Sequence, residues 1–284
     1  MPKTPFNWKL FFVLLAGVIV GLIAIVPYSL ALQGEAVSTV TAQANMPLWM
    51  LIVIQLTSQV IVFGVAIWVG LSFASSVGLG LPILESLLGG NRASEPQASG
   101  AHSDSRENRS TIGPQLRKIL PASISLGVIL ALIIVALEVF VFEPALVAQL
   151  GDTALAGASA VRPAAWQGFL ASFYGGINEE ILLRLCVMSF LAWLGRFVSR
   201  TAEGKPTLAV LWFANILAAL LFGLGHLPAT AALVPLSPLI VTRALVLNGL
   251  IGMGFGYLYF KHGLESAMIS HFSADIVLHV LFSV

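Results

Sequence analysis

Charge is what this chain lacks most. Asp, Glu, Lys and Arg make up 10% of its 284 residues, against 58% hydrophobic residues. Soluble domains carry about 25% charged residues, so a water-soluble globular fold is excluded and an integral membrane protein is expected. A single cysteine, Cys186, excludes an intrachain disulfide and reads as a small apolar filler. The formal net charge is +1 with no basic run, so nucleic acid is not an expected partner. No Ser or Cys stands in a nucleophile motif, which leaves covalent catalysis with little support. The HExxH zinc signature is also missing. Met1 to Lys9 precedes a long apolar stretch without a small-residue cleavage site, so the first span reads as a retained helix.

Long hydrophobic runs are what the chain has instead. A transmembrane helix needs about 20 mostly apolar residues. Seven stretches qualify: Trp8–Leu32, Leu48–Phe73, Ile119–Phe142, Trp166–Leu194, Leu208–His226, Leu239–Phe260 and Gly263–Phe282. The expected fold is an all-α polytopic bundle forming one domain over 1–284. The fourth run contains Gly175-Gly176, which invites a break. Ser75–Leu88 is apolar but short and interrupted by Gly and Pro, and reads as an interfacial or re-entrant helix. Residues 89–113 are rich in Ser, Asn, Gly and charge and read as a flexible cytoplasmic loop.

Lys and Arg fall on one side of this seven-span arrangement. Lys3 and Lys9 precede span one, and Arg92, Arg106, Arg109, Arg117 and Lys118 follow span two. Arg196, Arg200 and Lys205 follow span four, and Lys261 follows span six. The opposite loops, Gln33–Pro47 and Leu227–Pro238, have none. The positive-inside rule then puts the N-terminus in the cytoplasm and the C-terminus outside.

Against this apolar background, Glu179 and Glu180 stand out. Carboxylates at membrane depth are costly and need a partner or a function. Arg184 follows Glu180 by one helical turn, in the favourable Glu-before-Arg order. Glu179 points about 100° away and has no such partner. A helix restarting after the glycines would be capped by Asn178. Both carboxylates would then lie near the positive end of the helix dipole. Glu180 and Arg184 suit a buried ion pair that locks helices as well as they suit a direct role. The unpaired Glu179 favours function.

Downstream stand Phe222-Gly-Leu-Gly-His226 and His271-Phe-Ser-Ala-Asp275. Taken alone, His226 is an ordinary core or interfacial histidine. His271 and Asp275 share one helix face, and His279 extends it by a turn. Together with the glutamates they suggest an intramembrane hydrolytic site. One scheme has Glu179, assisted by His226, take a proton from water while His271 and Asp275 polarise a scissile carbonyl. The other has zinc on Glu179, His226 and His271. A difficulty is depth, because the nominal end of span five puts His226 near a surface while Glu179 falls at mid-span.

The set Glu179-Glu180-x-x-x-Arg184, Phe222-x-x-x-His226 and His271-x-x-x-Asp275 resembles the CAAX protease and bacteriocin-processing family. That group includes the type II CAAX prenyl endopeptidases, also called the Abi family. The resemblance covers roughly Ala165 to the C-terminus, the motif-bearing core 165–284. It implies a glutamate-type intramembrane endopeptidase without a resident metal, acting on a membrane-associated or lipidated peptide within a bilayer. Glu179 would be the base for water, His226 would sit beside it, and His271 and Asp275 would line an oxyanion region. Asp at position 275 is the bacterial-type variant, which implies a bacterial inner membrane. Two other classes compete. One is a proton-coupled transporter, for which Glu138 and Arg243 inside spans would count. The other is a non-catalytic immunity protein on the same fold.

Overall fold

Proline and glycine set where the helices stop. In the computed structural model the described residues are 6–88, 105–151 and 162–282, without the side chains of Glu35, 105–112 and Leu150. Helix α1 (Trp8–Ala24) is capped by Asn7, whose side chain accepts from the Leu10 amide at 3.1 Å. Helix α2 (Val26–Ala44) starts with Pro27 in its first turn, kinks at Gln33 and stops at Asn45 in the left-handed conformation. Helix α3 (Leu48–Val77) begins after Pro47 and ends at Gly78, φ 78°. Helix α4 (Pro82–Leu87) is one short turn and a half. Helix α5 (Ser105–Leu137) runs through a wide-turn segment, Glu138–Phe142, into α6 (Glu143–Leu150).

The fourth apolar run is α7 (Ala165–Phe173), two wide i→i+5 segments, Tyr174–Glu179 and Ile181–Met188, and α8 (Ser189–Gly195). Helices α9 (Leu208–Gly225), α10 (Leu227–Ala231) and α11 (Pro238–His262) follow. The last, α12 (Leu264–Asp275), continues in a wide segment, Ile276–Leu281. Among the described residues the one strand-like feature is an isolated bridge between Arg200 and Pro206. The chain is all-α, as expected.

Five of the seven expected spans are found as such. Among the described residues, five helices are long and apolar enough to cross a membrane: Trp8–Gly34, Leu48–Val77, Gly113–Gln149, Leu208–Ala231 and Pro238–His262. The other two expected spans carry the chemistry. The fourth run holds Glu179, Glu180 and Arg184, and the seventh holds Glu265, His271 and Asp275. Residues Gln33–Pro47, expected as a loop, are helical as far as Ala44, with Asn45 and Pro47 supplying the stop. Of the polar stretch 89–113, residues 89–104 lie outside the described residues, and α5 begins at Ser105.

Packing follows membrane logic, in which small residues let helices approach closely. Helix α9 lies along α11, and α5 along α12. A Cβ on Gly127 of α5 would run into the Ser270 carbonyl of α12. Phe140, 78% exposed, is one of many outward apolar side chains suited to lipid contact. At one end of the bundle, the Leu264 amide donates to the Gly80 carbonyl at 3.0 Å. There too the Arg196 guanidinium donates to the Ser76 carbonyl at 3.1 Å. The end of α3, the Arg196 end of α8 and the Lys261 end of α11 are thus gathered together.

Candidate active site

Gly175-Gly176 does not break the fourth run. The helix continues through wide turns, a form of bulge frequent at functional sites. Asn178 is therefore not a cap. It is fully buried, and its amide nitrogen donates to the Val18 carbonyl of α1 at 3.2 Å. The expected help from a helix dipole lapses with it. The two carboxylates need side-chain partners, and they have different ones.

Glu180 is fully buried. Its Oε1 lies 3.0 Å from Arg184 Nη1 and 2.7 Å from His271 Nδ1. Arg184, 1% exposed, is held in turn by Nη2 donating to the Gly252 carbonyl at 2.8 Å. Its guanidinium lies over the Phe222 and Phe255 rings, 5.1 and 5.5 Å from their centroids. This is a desolvated charge pair with planar packing on both partners' surroundings, a geometry arginine suits and lysine does not. An ionised carboxylate can only accept, so His271 Nδ1 donates to Glu180. That fixes the imidazole orientation and leaves Nε2 for chemistry.

His271 Nε2 faces the other two acids. Glu179 Oε2 is 3.5 Å away and Asp275 Oδ1 is 3.6 Å away. The imidazole stacks on Phe255 with centroids 4.4 Å apart and planes 21° apart. Glu179 is the accessible member of the set, its side chain 21% exposed, while those of His271 and Asp275 are 5% and 10% exposed. Tyr174 lies within electrostatic reach of Glu179. Gly175 makes the convergence sterically feasible. A Cβ there would collide with the Asp275 carboxylate and stand 3.0 Å from His271 Nε2.

His226, expected beside Glu179, is positioned by Phe222. It follows the last turn of α9, half-buried, with Nδ1 2.9 Å from the Phe222 carbonyl oxygen. Its ring meets the Phe222 ring edge-on at 4.7 Å, and Phe222 meets His271 at 5.7 Å. Phe222 thus touches both histidines, and His271 Nε2 is the histidine nitrogen found 3.5 Å from Glu179 Oε2. Among the described residues, no three His, Cys, Asp or Glu side chains are grouped as a metal-holding set.

Several contributors escaped sequence reasoning. Phe255 and Gly252 carry no local signal, since Gly252 reaches Arg184 across 68 residues. His279 was legible, being one turn beyond Asp275. Its Nε2 is 3.9 Å from Asp275 Oδ1, and its Nδ1 is 3.4 Å from the Tyr28 hydroxyl. Glu138 and Arg243, the charges that would favour a transporter, pair with each other at 2.7 Å.

Residues 161–277 match the family model described as Type II CAAX prenyl endopeptidase Rce1-like. No curated protein and no solved structure matches the chain. The matched segment holds every residue of the constellation, from Tyr174 to Asp275. The family is one of proteases, so with its apolar spans the chain is an integral membrane protein of the peptide-hydrolase class.

Proposed function

We propose that this chain, whose residues 161–277 are an Rce1-like type II CAAX prenyl endopeptidase domain, cleaves a membrane-associated peptide with water activated at Glu179. The observation that carries the reading is the approach of Glu179 and Asp275 to one imidazole nitrogen, at 3.5 and 3.6 Å. These separations are long for direct hydrogen bonds and suit a shared water.

In this reading Glu179 takes a proton from water held between its carboxylate and His271 Nε2. The oxygen attacks the scissile carbonyl and forms a tetrahedral intermediate. A protonated Asp275 donates to the developing oxyanion. Collapse breaks the C–N bond, and Glu179 returns its proton to the leaving amine. Glu180 and Arg184 are positioning residues that hold His271 in one tautomer and orientation, the part a buried acid plays behind a catalytic histidine. His226 borders the site through Phe222. No metal enters the scheme, and a zinc chelator is expected to leave cleavage intact.

For the substrate we propose a peptide bearing a lipid chain. A cavity of about 590 Å³ runs between α2 and α3, lined by residues including Leu30, Val37, Leu51, Gln55 and Gln59, and it reaches Tyr174. Its mainly apolar walls suit a hydrocarbon chain, and Tyr174 links it to Glu179. The test is cleavage of lipidated and unlipidated reporter peptides in proteoliposomes by wild type and Glu179→Gln. Loss of turnover in the variant, with its melting temperature retained, is expected. Undiminished cleavage would refute the mechanism, and equal turnover of both peptides would refute the lipid requirement.

A further inference from the structure

A second pocket, of about 300 Å³, lies at the Lys/Arg-rich end of the bundle, away from the acidic constellation. Its walls include Gly78, Pro82, Gln115, Lys118, Lys261 and His262, contributed by the end of α3, the start of α4, α5 and the end of α11. Gly78 and Gly263, at φ 78° and 97°, turn the backbone through left-handed conformations that favour glycine. Lys205 reaches the same wall from the α8–α9 loop. Its Nζ would lie 3.5 Å from a Cβ on Gly78. Lys118 and Lys261 both act electrostatically on His262.

The positive-inside rule explains why these cations share a side of the membrane. It does not explain their convergence on one concavity from three distant parts of the chain. The nearby carboxylates accept from backbone amides at the edge of the pocket, where Glu265 Oε2 would lie 3.1 Å from a Cβ on Gly263. Glu265 Oε1 accepts from the Ile83 and Leu84 amides at 3.0 and 2.9 Å, and Glu85 Oε1 accepts from the Leu81 amide at 2.9 Å. Glu203 acts on Lys205 from its exposed loop.

We propose that this pocket binds the phosphate group of an anionic membrane lipid. The pocket stands at the ends of α5 and α11, both part of helices long and apolar enough to cross a membrane, and hence at headgroup depth. Leu79, Ile119 and Phe260 supply an apolar border on which the lipid's glycerol and first methylenes would rest. Basic pockets between membrane helices are suited to such headgroups. The site is independent of the proteolytic reading, and its test does not use proteolysis.

The test is native mass spectrometry of the full chain in neutral detergent, titrated separately with phosphatidylglycerol, phosphatidylcholine and inorganic phosphate. Wild type is expected to retain one phosphatidylglycerol in preference to phosphatidylcholine. Each lysine removed is expected to weaken retention about fivefold, so Lys118→Gln with Lys261→Gln should lose about 25-fold. Arginine at both positions should preserve binding. A remote pair, Lys9→Gln with Arg162→Gln, removes the same charge and should lose little. An unchanged melting temperature in detergent alone would show that the pocket variant is folded. Equal retention by wild type and pocket variant overturns the proposal, as does equal loss in the remote pair. Displacement of phosphatidylglycerol by equimolar inorganic phosphate overturns the lipid assignment.

Discussion

Glu179 and Glu180 are neighbours in sequence and opposites in environment. Glu180 is fully buried between Arg184 and His271, whereas the Glu179 side chain is 21% exposed and faces His271 Nε2. Their substitutions should separate accordingly. Glu179→Gln removes the proposed base with little change in packing, and peptide cleavage should fall at least about 100-fold at an unchanged melting temperature. Glu180→Gln leaves the Arg184 charge buried without its counter-ion, which costs about 3 kcal/mol in comparable pairs. Denaturant unfolding in detergent should show that loss together with loss of cleavage. A Glu180→Gln protein as stable as wild type would overturn the ion-pair assignment.

At the scale of elements, the site depends on two helices touching through glycine. Gly175 of the wide-turn segment faces α12, where a Cβ would run into the Asp275 carboxylate. Gly175→Ala should displace that acid from His271 and lower cleavage about tenfold or more, a range set by general acid–base contributions. Gly195→Ala pushes α8 against the Val210 side chain of α9, well past Arg184 in chain order. Overpacking of this kind costs about 1–3 kcal/mol, so thermal unfolding should shift down. Comparing the two variants separates a site effect from a packing effect. Loss of stability without loss of cleavage in Gly175→Ala would remove that glycine from the proposed site.

At the scale of the whole molecule, the basic ends of the helices converge while the acidic constellation lies within the bundle. We propose that the Lys/Arg-rich end is cytoplasmic. In a Cys186→Ser background, single cysteines at Lys9, Lys205 and Lys261 should all be labelled from the same side of inverted vesicles by a membrane-impermeant maleimide. Labelling of any one from the opposite side would break the proposed orientation. The spans themselves show why hydropathy is an incomplete guide. Among the described residues five helices are long and apolar enough to qualify, and the other two expected spans are those that carry Glu179, Glu180, Arg184, His271 and Asp275.

Composition and hydrophobic periodicity by themselves determined an all-α membrane protein, because helical backbone satisfies its own polar groups in a medium that offers none. Residue type also singled out the buried acids, the arginine and the histidines, since each is too costly in a membrane to stand without a partner or a task. Spacing joined Glu180 to Arg184 and His271 to Asp275, pairs one helical turn apart. It could not say whether Gly175-Gly176 breaks the helix, because wide turns and a break read alike in sequence. Nor could it choose the histidine that meets Glu179. That His271 meets it rests on contacts made over long chain distances, such as the 91 residues between Glu180 and His271. Local patterns record which groups need partners, and only the packing of distant helices decides which partner each group receives.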